Sequence, residues 1–111
     1  AKAQPIYQSA GLLVDFEGHR VTVDRLEVDL TATEYDIITY LAHNADRVVT
    51  VDQLLEKIWG EAYIGETHIL QVHIARLRKK LGDDSKNPRY ILTRSGVGYK
   101  MVKSDAPPGS S

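Results

Sequence analysis

Between Leu30 and Thr31 the hydrophobic pattern changes period, and this restricts the fold more than any other feature of the chain. Upstream, "LLVDFEGHRVTVDRLEVDL" alternates apolar and polar residues: Leu12, Val14 and Phe16, then Val21 and Val23, then Leu26, Val28 and Leu30. A period of two gives a strand one buried and one solvated face. Three short antiparallel strands are therefore predicted, reversing at Glu17-Gly18 and Asp24-Arg25, where glycine or a short polar residue suits a tight turn. Downstream the spacing is helical. Thr31 and Glu34 have the form of a capping box, in which a hydroxyl and a carboxylate three residues apart satisfy each other's exposed amides. Tyr35, Ile38, Leu41, Ala42 and Ala45 then define an inward face up to about Asn44.

Thr50 and Gln53 repeat the capping signature, followed by Leu54, Leu55, Ile58 and Trp59, with Gly60 at the expected stop. After the loop "EAYIGE", Thr67 is the expected cap of a third helix that runs to Leu81 and ends at Gly82. Beyond Pro88, "RYILTRSGVGYKMV" returns to β-branched and aromatic residues around a turn near Gly96 to Gly98, which predicts a hairpin. The expected fold class is α+β: an N-terminal antiparallel sheet, a three-helix core and a C-terminal β-hairpin, the order of a winged helix-turn-helix. With 111 residues, of which 42% are hydrophobic, the chain suffices for one small domain. Its expected bounds are 11–103, with 1–10 as an N-terminal arm or linker and 104–111, "SDAPPGSS", as a disordered tail.

Composition excludes several classes. Without cysteine there is neither a disulfide framework nor a thiolate metal site, which fits a reducing compartment and makes the cytoplasm the expected location. No apolar run approaches the roughly 20 residues of a membrane span, and the N-terminus lacks the pattern of a secretory signal. His68 and His73 stand five residues apart, no HExxH occurs, and Gly96-Val97-Gly98 precedes a strand rather than a helix, unlike a nucleotide loop. No enzymatic activity, cofactor or metal is expected.

The net charge of −1 conceals a polar distribution. Residues 1–65 hold 5 basic and 11 acidic side chains, whereas residues 66–103 hold 9 basic and 3 acidic ones. This is the footprint of a polyanion-binding face. At about 100° per residue, Leu70, Ile74, Leu77 and Leu81 share a narrow buried arc of the third helix. Opposite lie His68, Val72, Ala75, Arg76 and Lys79, with Ile69 and Lys80 at one margin. That arc carries no acid, although a merely solvated helix gains from glutamates placed at i,i+4. It offers arginine for guanine edges or phosphate, small apolar groups for thymine methyls, and lysine for phosphate.

Three segments, "LTATEYDIITYLAHNADRVVTVDQLLEKIWG", "VHIARLRKKLGDD" and "ILTRSGVGYKM", stand in the order and spacing by which the chain resembles the C-terminal DNA-binding domains of OmpR/PhoB-type response regulators. The resemblance covers about Gly11 to Val102. It implies a transcription factor whose third helix enters the major groove and whose wing lies near the minor groove, usually as two copies on a direct repeat. Position by position it implies that Arg76 reads a base, that Val72 lies against bases, that His73 and Arg78 contact the backbone, and that Lys79 and Lys80 form the basic end of the helix. On the helical wheel Arg78 lies on a flank, compatible with a phosphate contact or an internal ion pair, and His73 lies near the buried margin, where packing is the alternative role. His68 stands where the family commonly has arginine and Gln71 where it has aspartate, so the base preference at that end of the site is open and need not match the common type. In the wing the family often has arginine directly before the first glycine; here Ser95 stands there and Arg94 precedes it. Since a shift of one residue on a strand reverses the side chain's face, Arg94 is open to a minor-groove role, a phosphate contact or simple exposure. Lys100 and Thr93 are further phosphate candidates.

In the loop between the second and third helices, Tyr63 and Ile64 are candidates for the RNA polymerase contact that the family often makes there, with ordinary loop packing as the alternative. The expected partners are double-stranded DNA with direct repeats, a second copy on the DNA, a receiver domain in the full-length protein and RNA polymerase. The competing reading is a winged-helix module whose basic face binds a protein.

Overall fold

The computed structural model describes residues 6–103. Residues 1–5 of the expected arm and the whole of the expected tail, 104–111, lie outside them. The N-terminal sheet has four antiparallel strands in sequential order: β1 (Ile6–Ser9), β2 (Leu12–Asp15), β3 (Arg20–Val23) and β4 (Leu26–Glu27). The alternation places Leu12, Val14 and Val21 inward, and Val14 pairs with Tyr7 on one side and Val21 on the other. Two expectations are corrected. Residues 6–9 are not an arm but the edge strand β1, with Tyr7 and Ser9 buried and the Tyr7 hydroxyl donating to the Val102 carbonyl. Four residues with two polar members are too short an alternation to stand out in sequence. Leu26 is 73% exposed, because β4 is a two-residue rim strand that pairs only with Thr22 and Val23 before the chain leaves the sheet.

Helix α1 (Ala32–His43) starts at the expected box, in which the Glu34 amide donates to Thr31 Oγ1 at 3.2 Å and the Thr31 amide to Glu34 Oε1 at 2.9 Å. Its inward face is Ile37, Ile38, Leu41 and Ala42, while Tyr35 and Ala45 are half-buried. The Tyr35 hydroxyl donates to the Asp15 carbonyl, and the Phe16 and His43 rings stack at 4.0 Å, seating the sheet on α1. Helix α2 (Val51–Ile58) carries the second complete box, Thr50 with Gln53, and buries Leu54 and Leu55.

A single 3-10 turn at Glu61–Tyr63 leads to α3 (Thr67–Leu81). Thr67 is not its cap: Glu66 occupies that position without a side-chain hydrogen bond, and Thr67 is the first helical residue. The start is fixed from behind, since the Glu66 amide donates to Tyr63 O and the Gly65 amide to Asp52 Oδ1. At the other end Gly82 adopts φ 72°, ψ 27°, and the Asp83 amide returns to Arg78 O at 2.8 Å, a Schellman-type stop that needs a left-handed residue. The predicted hairpin is β6 (Ile91–Arg94) and β7 (Gly98–Met101). It is not free-standing. β7 also pairs with β5 (Val49–Thr50), two residues directly before α2, to give a three-stranded sheet ordered β5-β7-β6. One core unites the parts, with Leu12, Val14, Leu41, Leu54, Leu70, Ile74, Leu77, Ile91 and Met101 all fully or almost fully buried.

Candidate nucleic-acid interface

Helix α3 divides as its spacing predicts. Leu70, Ile74, Leu77 and Leu81 are buried, while His68, Gln71, Ala75, Arg76 and Lys79 are exposed and Val72 is half-exposed. Four large aliphatic side chains removed from water contribute on the order of 1.5–3 kcal/mol each, which fixes the roll of the helix and thereby the direction of its outer residues. Among the described residues Gln71, Arg76 and Lys79 have no side-chain hydrogen-bond or ion-pair partner within the protein. They are free to meet something else.

Three neighbouring residues are not. The Arg78 side chain is buried and turned toward the hairpin: Nη2 donates to the Ile91 carbonyl and to Thr93 Oγ1, each at 2.7 Å, and the guanidinium lies 5.9 Å from the centre of the Tyr99 ring. The expected alternative of an internal ion pair is corrected, since among the described residues no carboxylate pairs with it and its buried Nε has no partner. Arg78 instead straps α3 to the wing. His73 Nδ1 donates to the Ile69 carbonyl at 2.9 Å, the only role a carbonyl leaves for that nitrogen, and its ring stands edge-on to Trp59 at 5.0 Å. The Lys80 ammonium sits 2.6 Å from Glu34 Oε1 and joins the end of α3 to the start of α1. Burial would raise the Glu34 carboxyl, but the hydrogen bond from Lys80, the Thr31 amide and the lysine charge together hold it below the ordinary carboxylate value. Glu34 is thus ionised at neutral pH, and Lys80 is partly engaged by it.

In the wing Thr93, Arg94 and Ser95 are exposed and Lys100 is half-buried. The turn that follows is tied down: the Val97 amide donates to Arg94 O at 2.9 Å, and the Val51 amide donates to Val97 O at 3.1 Å. The wing tip is thereby fastened to the first residue of α2. Burial raises the Tyr99 phenol while the nearby Arg78 lowers it, and the net shift is upward.

Between α3 and the wing runs a cleft of about 750 Å³ lined by Thr67 and Gln71 on one side and by residues 93–99 on the other, with residues 50–52 at its end. Asp52, the acid in that lining, is occupied by the Gly65 amide. Helix α3 and the wing therefore bound a single groove, with Arg94 as the cation in its lining.

Tyr63 and Ile64 are 40% and 42% exposed and adjacent in the segment before α3, whereas Trp59 is half-buried against the core. Two contributors escaped the sequence reading. The Asp83 carboxylate accepts the amides of Arg89 at 2.7 Å and Ile91 at 2.9 Å, with the Tyr90 amide at 3.3 Å, and so shapes the entry to β6. Gly98 passes so close to β5 that an added Cβ would lie 2.0 Å from Val49 O. The sequence pattern put Gly98 in the hairpin turn, whereas it opens β7 and faces β5, a pairing that the pattern did not show; nothing in "GDDSKN" singles out the first aspartate. No helix of the described residues is long and apolar enough to cross a membrane.

Residues 25–101 match the family model described as "Transcriptional regulatory protein, C terminal". The chain is 43% identical over 98 residues to the transcriptional regulatory protein KdpE of Mycobacterium tuberculosis, an alignment spanning 88% of this chain and 43% of that protein. It is 40% identical over 96 residues to the sensory transduction protein RegX3 of Mycobacterium leprae, spanning 86% of this chain and 48% of the relative. The chain thus spans less than half the length of these relatives. Among solved structures, the Klebsiella pneumoniae RstA DNA-binding domain in complex with the RstA box superposes with a TM-score of 0.82 at 29% identity, covering 91% of this chain and 100% of that one. The C-terminal effector domain of BfmR from Acinetobacter baumannii superposes at 0.76 with 35% identity, covering 94% and 95%.

Proposed function

Since the chain belongs to the family of C-terminal domains of transcriptional regulatory proteins, we propose that it binds double-stranded DNA sequence-specifically as the effector domain of a two-component response regulator. The observation that carries this reading is the acid-free outer face of α3, with Gln71, Arg76 and Lys79 unengaged and the wing across one cleft. Helix α3 enters the major groove, where Arg76 reads a guanine edge and Val72 and Ala75 present apolar groups to thymine methyls. His68 and Lys79 flank them. Thr93, Arg94, Ser95 and Lys100 bring the wing to the adjoining backbone. Arg78 acts mainly through Thr93, which it holds in place, and His73 and Lys80 serve the interface while anchored to Ile69 and Glu34.

Two copies lie on a direct repeat with half-sites about 10 to 11 base pairs apart, one helical turn. A receiver domain elsewhere in the full-length protein controls the arrangement, and the protein works in the cytoplasm. Affinity is expected to fall with salt with a log-log slope of about −0.9 per phosphate contact. Arg76→Ala is expected to weaken the best site by about 1–3 kcal/mol and to relax one base position, as measured by fluorescence anisotropy on a matched panel of duplexes. Unchanged affinity in that variant would remove α3 from the groove and favour a protein partner for the basic face.

Tyr63 and Ile64 form a contact with RNA polymerase, supported by the exposure of two adjacent large apolar side chains, neither of which lines the cleft. The double variant Tyr63→Ala, Ile64→Ala should bind DNA as the parent does and lose activation in a reconstituted transcription assay. Full activation by that variant would dismiss the contact.

A further inference from the structure

The lysines and arginines of α3 lie in its second half, at Arg76, Arg78, Lys79 and Lys80, whereas its first turns present His68, Gln71 and Val72. Gln71 is the one amide side chain in this set. It is exposed in the N-terminal third of the helix, lines the cleft shared with the wing, and has no partner among the described residues. It also lines a second groove, with Lys79 and Asp83, so it stands where the two hollows meet. In a helix-turn-helix the N-terminal residues of the recognition helix reach base edges. A carboxamide both donates and accepts, and the base edge that fits it bidentately is adenine, through N6 and N7.

Resting on the DNA-binding reading above, we infer that Gln71 is a specificity-determining residue that selects adenine at one position of each half-site, with a guanine read by Arg76 about two base pairs away. The spacing comes from the helix. Five residues at 1.5 Å each separate Gln71 from Arg76 by about 7.5 Å along the axis, close to two base-pair steps of about 3.4 Å. The two side chains also diverge by about 140° around the axis, which sends Gln71 to the wing side of the groove and Arg76 to the other.

The test is selection and sequencing of duplexes from a random library with the full chain, beside Arg76→Ala, Gln71→Ala and Gln71→Glu. Arg76→Ala identifies the guanine column. Parent protein should then enrich adenine about two positions from it, by roughly five- to 150-fold over other bases. Gln71→Ala should flatten that column alone, and Gln71→Glu should turn it toward cytosine, whose N4 donates to a carboxylate. A motif whose guanine column persists while Gln71→Ala changes no base, or weakens all sequences equally, overturns the assignment and makes Gln71 a backbone contact. Enrichment of no motif by any of the four proteins overturns the DNA-binding reading itself.

Discussion

Gly98→Ala is expected to destabilise the domain by about 3 kcal/mol or more, at the upper end of what overpacking does. The added methyl would lie 2.0 Å from Val49 O and 2.8 Å from both Val49 C and Thr50 Cα. All three are backbone atoms, so no side-chain rotation relieves the clash; β5 must part from β7. Since Gly98 is opposite Thr50 in that pairing, and Thr50 caps α2, strand and helix are disturbed together. The sign is diagnostic. Where the backbone tolerates it, glycine to alanine usually stabilises by about 0.4–1 kcal/mol through the unfolded chain. In thermal unfolding the variant should melt roughly 12–24 °C below the parent, taking about 4–8 °C per kcal/mol for a domain of this size. An unchanged or higher melting temperature would mean that β5 and β7 do not approach this closely.

Asp83→Ala is the second large effect, expected at about 2–4 kcal/mol. Removing the carboxylate strips the acceptor from the amides of Arg89, Tyr90 and Ile91, of which Tyr90 and Ile91 are almost completely buried. A buried donor left without a partner costs about 1–3 kcal/mol. The damage should also be local, because the Ile91 carbonyl is one of the two groups held by Arg78. Urea unfolding gives the magnitude, and amide hydrogen exchange at Ile91, Leu92 and Thr93 gives the location. Parent-like stability with unaltered exchange there would show that the loop does not depend on Asp83.

Both effects concern the placement of the wing, and this is also where the sequence was least legible. Periodicity sufficed for the buried stripe of α3, because every fourth or third aliphatic residue has to leave water. The outward set followed by exclusion. The boxes at Thr31 and Thr50 were legible because a capping box is a contract between residues three apart. Thr67 looked equally suited as a cap and is not one, since the 3-10 turn and Asp52 set where α3 begins. Leu26 obeyed the alternation yet is exposed, because a two-residue strand at the rim has nothing above it.

The resemblance implied backbone contacts for Arg78 and His73, and their surroundings qualify both. Helical position alone left Arg78 open to a phosphate or to an acid. The hairpin that captures it begins 13 residues away, and which face of β6 it meets depends on β7 pairing with β5. Lys80 resembled its neighbour Lys79 until α1 brought Glu34, 46 residues distant, to 2.6 Å.

The sequence by itself determined the order of meander, three helices and hairpin, the two capped starts, the inward stripe of α3 and the separation of acidic from basic halves, because each depends on residues within a few positions of one another or on composition. Tertiary structure alone decided which basic side chains remain free, where the wing stands against α3, and that residues 6–9 join the sheet. Those outcomes depend on groups distant in sequence competing for the same hydrogen bonds and the same buried volume, and that competition is resolved only when the chain has closed on itself.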